Sequence, residues 1–295
     1  MHELTVPANG FDFHVHEAGA GDRLALCLHG FPELGFSWRH QLPVLADLGY
    51  RAWAPDLRGG GATRPRPARR RDYRTTDLIA DVGALIDAAE PSETVLIGHD
   101  WGAALAWYAA IQRLRPLDRL VIMNVPHPAR FQEGVRTLRQ LRRSWYMFFF
   151  QLPWLPEWAL GRNDAEAIGR AFGDMAVHRE RFADDVLDVY RRAAREPGAL
   201  RAMVNWYRGA LLSARPLRRA GYPTVETPTL MVWGEQDTAL GRELAEGTDA
   251  YVADLTLRFL PDASHWVQQD QPEIVNTMLT AFLRGEAVPE HDELR

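Results

Sequence analysis

Thr94-Val95-Leu96-Ile97-Gly98-His99-Asp100-Trp101-Gly102-Ala103-Ala104-Leu105-Ala106 changes character at its centre. Val95-Leu96-Ile97 is a short apolar, β-branched run of the kind that forms a buried strand, and Ala103-Ala104-Leu105-Ala106 opens a helix of small residues. Asp100 is therefore predicted on a sharp strand-to-helix turn between two glycines. The helix that follows turns the positive end of its dipole toward the carboxylate and favours its ionised form. An Asp before a helix often serves only as an N-cap. The preceding strand and the flanking Gly98 and Gly102 make a reactive role the stronger reading. A carboxylate has no proton to lose and attacks carbon directly, forming an ester.

On either side of this turn, strand and helix signals alternate as in a sheet covered by helices. Strands are predicted at Glu3–Val6, Phe11–Glu17, Leu24–Leu28, Arg51–Pro55, Thr94–Gly98 and Leu120–Asn124, with helices at Trp38–Ala46, Thr76–Ala89 and Gly102–Leu114. After Asn124 and to about Arg219 the pattern turns Arg-rich, aromatic and helical, bracketed by Pro126, Pro128, Pro216 and Pro223. Alternation resumes with strands at Thr229–Trp233 and Leu255–Leu260 and a helix near Pro272–Leu283. The expected fold class is α/β, with a mostly parallel central sheet flanked by helices. Residues 1–126 and 221–295 would form the core and residues 127–220 an inserted helical cap, with the cleft between them as the expected binding site. The polar tail Glu286–Arg295 is expected to be disordered.

The 295 residues suffice for a substantial core, and the net charge of −5 offers no global basic field for nucleic acid. Every basic residue counted in the total of 34 is Arg, which excludes Schiff-base chemistry. The run Arg64-Pro65-Arg66-Pro67-Ala68-Arg69-Arg70-Arg71 reads as a solvated loop. Cys27, the only cysteine, sits in an apolar strand and reads as a buried, inert thiol. The N-terminal residues lack the pattern of a signal peptide, and the longest apolar patch, residues 145–150, is too short to span a bilayer, so a cytoplasmic protein is expected. His14 and His16 share one strand face without further clustered ligands and read as polar surface.

An ester formed by Asp100 must be released by a base that activates water near neutral pH. His265, in Pro261-Asp262-Ala263-Ser264-His265-Trp266 between the last strand and the last helix, is the candidate. Upstream, Thr229–Trp233 runs into Gly234-Glu235-Gln236-Asp237, which puts two acids at a strand's C-terminal end; Asp237 is preferred to Glu235 by its position in the motif. His29, His99 and His127 read as supports of nearby loops.

Taken in order, His29-Gly30-Phe31-Pro32, Ser37-Trp38-Arg39, Pro55-Asp56-Leu57-Arg58-Gly59, Gly98–Gly102, Gly234–Asp237 and Ser264-His265-Trp266 make the chain resemble the α/β-hydrolase-fold epoxide hydrolases over nearly its whole length. The resemblance implies Asp100 as nucleophile, His265 as base and Asp237 as the acid that orients it, in the chain order of this fold. It implies an oxyanion hole from the Phe31 and Trp101 N–H groups, a substrate pocket with Phe31, Trp101 and Trp266, and two cap tyrosines, Tyr146 and Tyr207, that donate to the epoxide oxygen. The implied partners are a small lipophilic epoxide and water, with no cofactor and no metal. Haloalkane dehalogenases share the Asp100-Trp101 pair and the cap, but commonly carry Asn where this chain has Phe31 and lack the tyrosine pair. A non-catalytic receptor on the same fold is the remaining alternative. Gly60-Gly61-Ala62-Thr63 departs from the family, which often has an aromatic residue, then Gly and a nearby Ser.

Overall fold

The computed structural model describes residues 1–294. Eight strands form one sheet: β1 His2–Ala8, β2 Phe11–Ala18, β3 Arg23–Leu28, β4 Arg51–Pro55, β5 Glu93–His99, β6 Arg119–Met123, β7 Thr229–Gly234 and β8 Leu255–Leu260. Their spatial order is β1-β2-β4-β3-β5-β6-β7-β8. The pairs β1/β2 and β2/β4 are antiparallel and the remaining pairs parallel. The expected strands all lie at these places. The central strands are apolar throughout because both sheet faces are covered. Along β3, Leu24, Leu26 and Leu28 enter one core cluster while Ala25 and Cys27 enter the other, the period of two that a pleated strand imposes. Helices α2 (Thr75–Ala89) and α3 (Trp101–Ile111) cover the first face, whereas α1 (Leu42–Asp47) and the last long helix, α10 (Pro272–Arg284), cover the second.

Three boundaries differ from expectation. Trp38 belongs to a 3-10 turn, Gly35–Trp38, and α1 begins at Leu42 with a proline in its first turn, where the missing N–H is not needed. Helix α3 ends at Ile111 because Arg113 turns left-handed at φ 49°, letting the Leu114 N–H reach the Ala109 carbonyl at 2.9 Å and the Arg113 N–H reach Ala110 at 3.0 Å. The tail is ordered rather than disordered over residues 286–294, Arg295 lying outside the described residues: Val288 and His291 are buried, and the Arg258 guanidinium on β8 donates to the Val288 carbonyl at 2.6 Å.

Between β6 and β7 the chain forms α4 (Pro128–Gly134), α5 (Leu138–Arg143), α6 (Trp145–Phe149), α7 (Leu155–Gly173, kinked at residues 162–165), α8 (Asp184–Arg195) and α9 (Ala199–Ala220). This helical segment is fastened to the sheet by polar contacts. The Trp206 indole donates to the Arg58 carbonyl at 3.1 Å, and Arg58 is itself held by a buried bidentate pair with Asp81, at 2.7 and 2.6 Å. Arg66 is half-buried rather than solvated and bridges the Gly59, Gly61 and Pro197 carbonyls, while Arg69, Arg70 and Arg71 remain exposed.

The turn after β5 is the tightest part of the fold. Asp100 has φ 48° and ψ −121°, a conformation rarely tolerated by a residue with a side chain. It persists because its neighbours are packed backbone to backbone. A Cβ on Gly102 would lie 2.0 Å from the Leu28 carbonyl oxygen, and one on Gly98 would lie 2.6 Å from the Ala103 backbone. Gly102→Ala is therefore expected to destabilise the protein by about 1–3 kcal/mol or more, as overpacking against backbone does. Gly173→Ala, at the end of α7 with open space around it, should gain up to about 1 kcal/mol. Denaturant unfolding of the two variants checks the contrast; equal stability would contradict this packing.

Candidate active site

Four loops at the C-terminal ends of β3, β5, β7 and β8 meet around Asp100. Its Oδ1 accepts the Phe31 N–H at 2.7 Å, and its Oδ2 lies 3.5 Å from His265 Nε2. On the other side of the ring, His265 Nδ1 donates to Asp237 Oδ2 at 2.7 Å. The three residues singled out for nucleophile, base and acid are thus one continuous charge chain. Glu235 takes no part in it, being paired with Arg242 at the surface.

Asp237 is held more firmly than the sequence suggests. Its Oδ1 accepts the N–H groups of Ala239 and Leu240 at 2.7 and 2.9 Å, and its Oδ2 accepts the Asn124 amide at 2.9 Å. Asn124 follows β6 with a left-handed φ of 49° and also receives the Gly234 N–H at 2.8 Å, tying the ends of two strands together. Sequence reasoning missed this residue. Its signal was a polar amide ending the apolar run Leu120–Met123.

Glu33 was missed as well. It is fully buried and accepts the Gly30 N–H at 2.9 Å, both the Gln268 and Gln269 amides at 3.0 Å, and His99 Nδ1 at 2.6 Å. The other His99 nitrogen donates to the His265 carbonyl at 2.7 Å. His99 therefore links the loop after β3 to the loop bearing His265. His29 holds neighbouring backbone in the same manner, its Nε2 accepting the Leu57 N–H at 2.9 Å, and burial keeps its pKa low. His127 accepts the Ala129 N–H and stacks on Tyr251; burial lowers its pKa to about 4.

The charges balance against the low dielectric. Burial alone would push the Asp100 carboxyl up, but His265, His99 and the Phe31 N–H outweigh it and hold the group below the usual carboxylate range. Asp237 is lowered in the same way by His265, Leu240 and Asn124. Burial opposes a charged imidazole at His265, yet Asp237 and Asp100 together raise it well above its ordinary value.

Above Asp100 lies an aromatic group from both parts of the chain. The Tyr207 ring on α9 packs edge-on against Phe31 at 5.3 Å, Trp101 at 5.1 Å and Tyr146 at 5.9 Å between centroids, with Phe150 at 4.8 Å. Burial, and then the nearby Asp100 carboxylate, raise both phenols well above 10, so both hold their protons. The Trp101 N–H opens α3, where it lacks an intrahelical acceptor. Trp266 is 2% exposed and gives its indole N–H to the Ala171 carbonyl at 3.2 Å, so it adds an apolar wall behind His265 rather than a free donor. A separate surface groove of about 1020 Å³, lined by Arg70, Trp154, Glu157 and Arg201, includes none of Asp100, Asp237 or His265.

Among the described residues no helix is long and apolar enough to cross a membrane. The alpha/beta hydrolase fold family matches residues 26–272. Human "Epoxide hydrolase 4" is 40% identical over 290 residues, covering 96% of this chain and 78% of the human protein. The Bacillus subtilis "AB hydrolase superfamily protein YfhM" is 37% identical, covering 95% of this chain and 97% of its own. Among solved structures, Epoxide Hydrolase A from Mycobacterium thermoresistibile is 30% identical with a TM-score of 0.84, covering 98% of this chain and 99% of that one. A mutant of an epoxide hydrolase from Bacillus megaterium superimposes with a TM-score of 0.87 at 28% identity, covering 95% and 100%. With identity at this level spread along nearly the whole chain, the protein belongs to the epoxide hydrolases of the α/β-hydrolase fold family.

Proposed function

We propose that this protein hydrolyses a small lipophilic epoxide to a vicinal diol through an ester on Asp100, beneath a cap formed by residues 127–220 on a core of residues 1–126 and 221–295. The observation that carries this reading is an ionised carboxylate set between a base and two protonated phenols. Because Oδ1 already accepts the Phe31 N–H at 2.7 Å, Oδ2 is the oxygen free to attack. It forms a bond to one epoxide carbon as the carbon–oxygen bond breaks. The departing alkoxide takes a proton from Tyr146 or Tyr207, a role suited to phenols, whose ordinary pKa of about 10 keeps them protonated at neutral pH.

In the second step His265 takes a proton from water, and the resulting hydroxide adds to the ester carbon. The tetrahedral oxyanion on Oδ1 is met by the Phe31 and Trp101 N–H groups. Collapse expels the oxygen that was Oδ2 as an alkoxide, which takes the proton held by His265 and leaves as the diol; Asp100 keeps the oxygen of water, and the proton on its new carboxyl returns to the tyrosine phenolate. Asp237 steadies the imidazolium form of His265. Phe31 and Trp101 supply apolar walls for the substrate, and Trp266 backs His265 from the core.

Halide displacement by the same carboxylate is the second reading. A halide leaves without a proton, whereas both buried phenols above Asp100 hold a proton to give, which favours the epoxide. Tyr146→Phe or Tyr207→Phe should slow ring opening roughly 100-fold or more, the usual loss on removing one oriented donor. The double change should nearly abolish it in a stopped-flow measurement, while any halide release would survive. Full epoxide turnover without either phenol would overturn the assignment.

His265→Gln should leave ester formation intact and block its hydrolysis, because attack by Asp100 needs no base. Intact-protein mass spectrometry should then find a covalent adduct of enzyme plus epoxide, absent from Asp100→Ala. Finding no adduct in a folded His265→Gln protein that still opens the epoxide would contradict the two-step scheme.

The raised pKa of His265 depends partly on the Asp100 charge, and esterification removes that charge. In the ester the imidazole must lose its proton at lower pH than in the free enzyme, so a base is released at the moment it is required. The rate of ester hydrolysis should rise with pH along a limb whose apparent pKa lies below that of His265 in the resting enzyme, read by NMR. The reverse order would be inconsistent with this coupling.

A further inference from the structure

His14 and His16 lie on one face of β2, and the sequence alone supplies no third ligand. The register of the edge hairpin supplies one. Glu3 on β1 pairs directly with His16, and Thr5 with His14, so the Glu3 carboxylate stands on the same face between the two rings. One carboxylate oxygen is 3.3 Å from His14 Nε2 and the other 3.7 Å from His16 Nδ1; ligand atoms of all three residues fall within 4.8 Å of one another. Two imidazole nitrogens and a carboxylate oxygen, each bound to one zinc ion at about 2.0–2.1 Å in a tetrahedral arrangement, would stand about 3.3 Å apart. Small rotations of exposed Glu3 and of the His16 ring close the difference.

A second observation marks this cluster off from an ordinary polar surface. His14 Nδ1 is hydrogen-bonded to the buried Asp56 carboxylate at 2.9 Å, and Asp56 is fixed in turn by the N–H groups of Gly35 and Ala62, each at 3.0 Å. A carboxylate behind one ring nitrogen, with the other nitrogen aimed at a shared point, is the arrangement that orients a metal-bound imidazole. The two imidazoles are mostly shielded, with side-chain exposures of 20% and 17%, while Glu3 is 64% exposed and leaves one side open to solvent and to a water as fourth ligand.

We propose that Glu3, His14 and His16 bind a divalent cation of the zinc class. Nitrogen and carboxylate donors together suit zinc over calcium or magnesium, which take oxygen ligands. The site lies apart from Asp100 and serves as a staple. It fastens β1, which pairs in the sheet only with β2, to a strand anchored through Asp56 to the loops after β3 and β4.

The test is calorimetric titration of the chelator-stripped full chain with zinc chloride, beside thermal unfolding with and without zinc. Wild type should bind one ion at this site and show a melting temperature that climbs with zinc concentration, as ligand linkage requires. His16→Val and Glu3→Gln should each lose more than the roughly 10- to 100-fold in affinity that loss of an outer-shell partner costs, and the zinc-dependent rise in melting temperature should vanish. His2→Gln, whose residue pairs with Glu17 across the opposite face of the hairpin, should bind as wild type does. Circular dichroism and metal-free melting of each variant verify the fold. Absence of zinc binding in wild type, or binding that His16→Val and Glu3→Gln leave unchanged, would overturn the proposal.

Discussion

The close approach of three backbone segments under Asp100 is the constraint on which the site depends. Gly102 lies against the Leu28 carbonyl, Gly98 against the first turn of α3, and Gly30 so near Asp100 that a Cβ would stand 2.3 Å from its side chain. A methyl group at any of these positions would push β3, β5 and α3 apart. With them in contact, Asp100 is forced into a left-handed φ of 48° and its carboxylate is driven out of the sheet's end. The same approach brings the Phe31 N–H within hydrogen-bond distance of that carboxylate. Strain at one residue is thus maintained by packing over three elements.

Electrostatics complete what the backbone begins. The buried Asp237 carboxylate, the mostly buried Asp100 carboxylate and the imidazole between them would be unstable as isolated charges at such depth. They are stable together because each is paired and because backbone N–H groups and the Asn124 amide satisfy the remaining lone pairs of Asp237. Behind His265, the Glu33–His99 link joins the loop after β3 to the histidine loop through the His265 carbonyl. The backbone that carries the imidazole is held by this link, and the ring itself by its bond to Asp237. Such second contacts cost the chain buried polar groups, and they return fixed geometry.

The helical segment contributes side chains the sheet cannot. Tyr207 and Tyr146 come from α9 and α6, far from Asp100 in sequence, and reach it only because α9 is pinned by Trp206 to Arg58 and because Phe31, Phe150 and Trp101 pack around the Tyr207 ring. An ion pair remote from the chemistry, Arg58–Asp81, therefore supports the position of the phenols.

The sheet, its strand positions, the turn at Asp100 and the pairing of His265 with Asp237 were all legible in the sequence, because they follow from local signals. Apolar runs of five to seven residues read as strands, glycines read as close approach, and an acid and a histidine at the ends of strands converge once those strands are parallel. The contacts between distant segments arise from the packing itself: Asn124 on Asp237, Glu33 on His99, Arg258 on the tail, and Glu3 beside His14 and His16. Each depends on register or on which loop lies next to which, information held in no single stretch of chain. A polar residue's local sequence shows that it can hydrogen-bond, whereas its partner is fixed by how the packed elements meet.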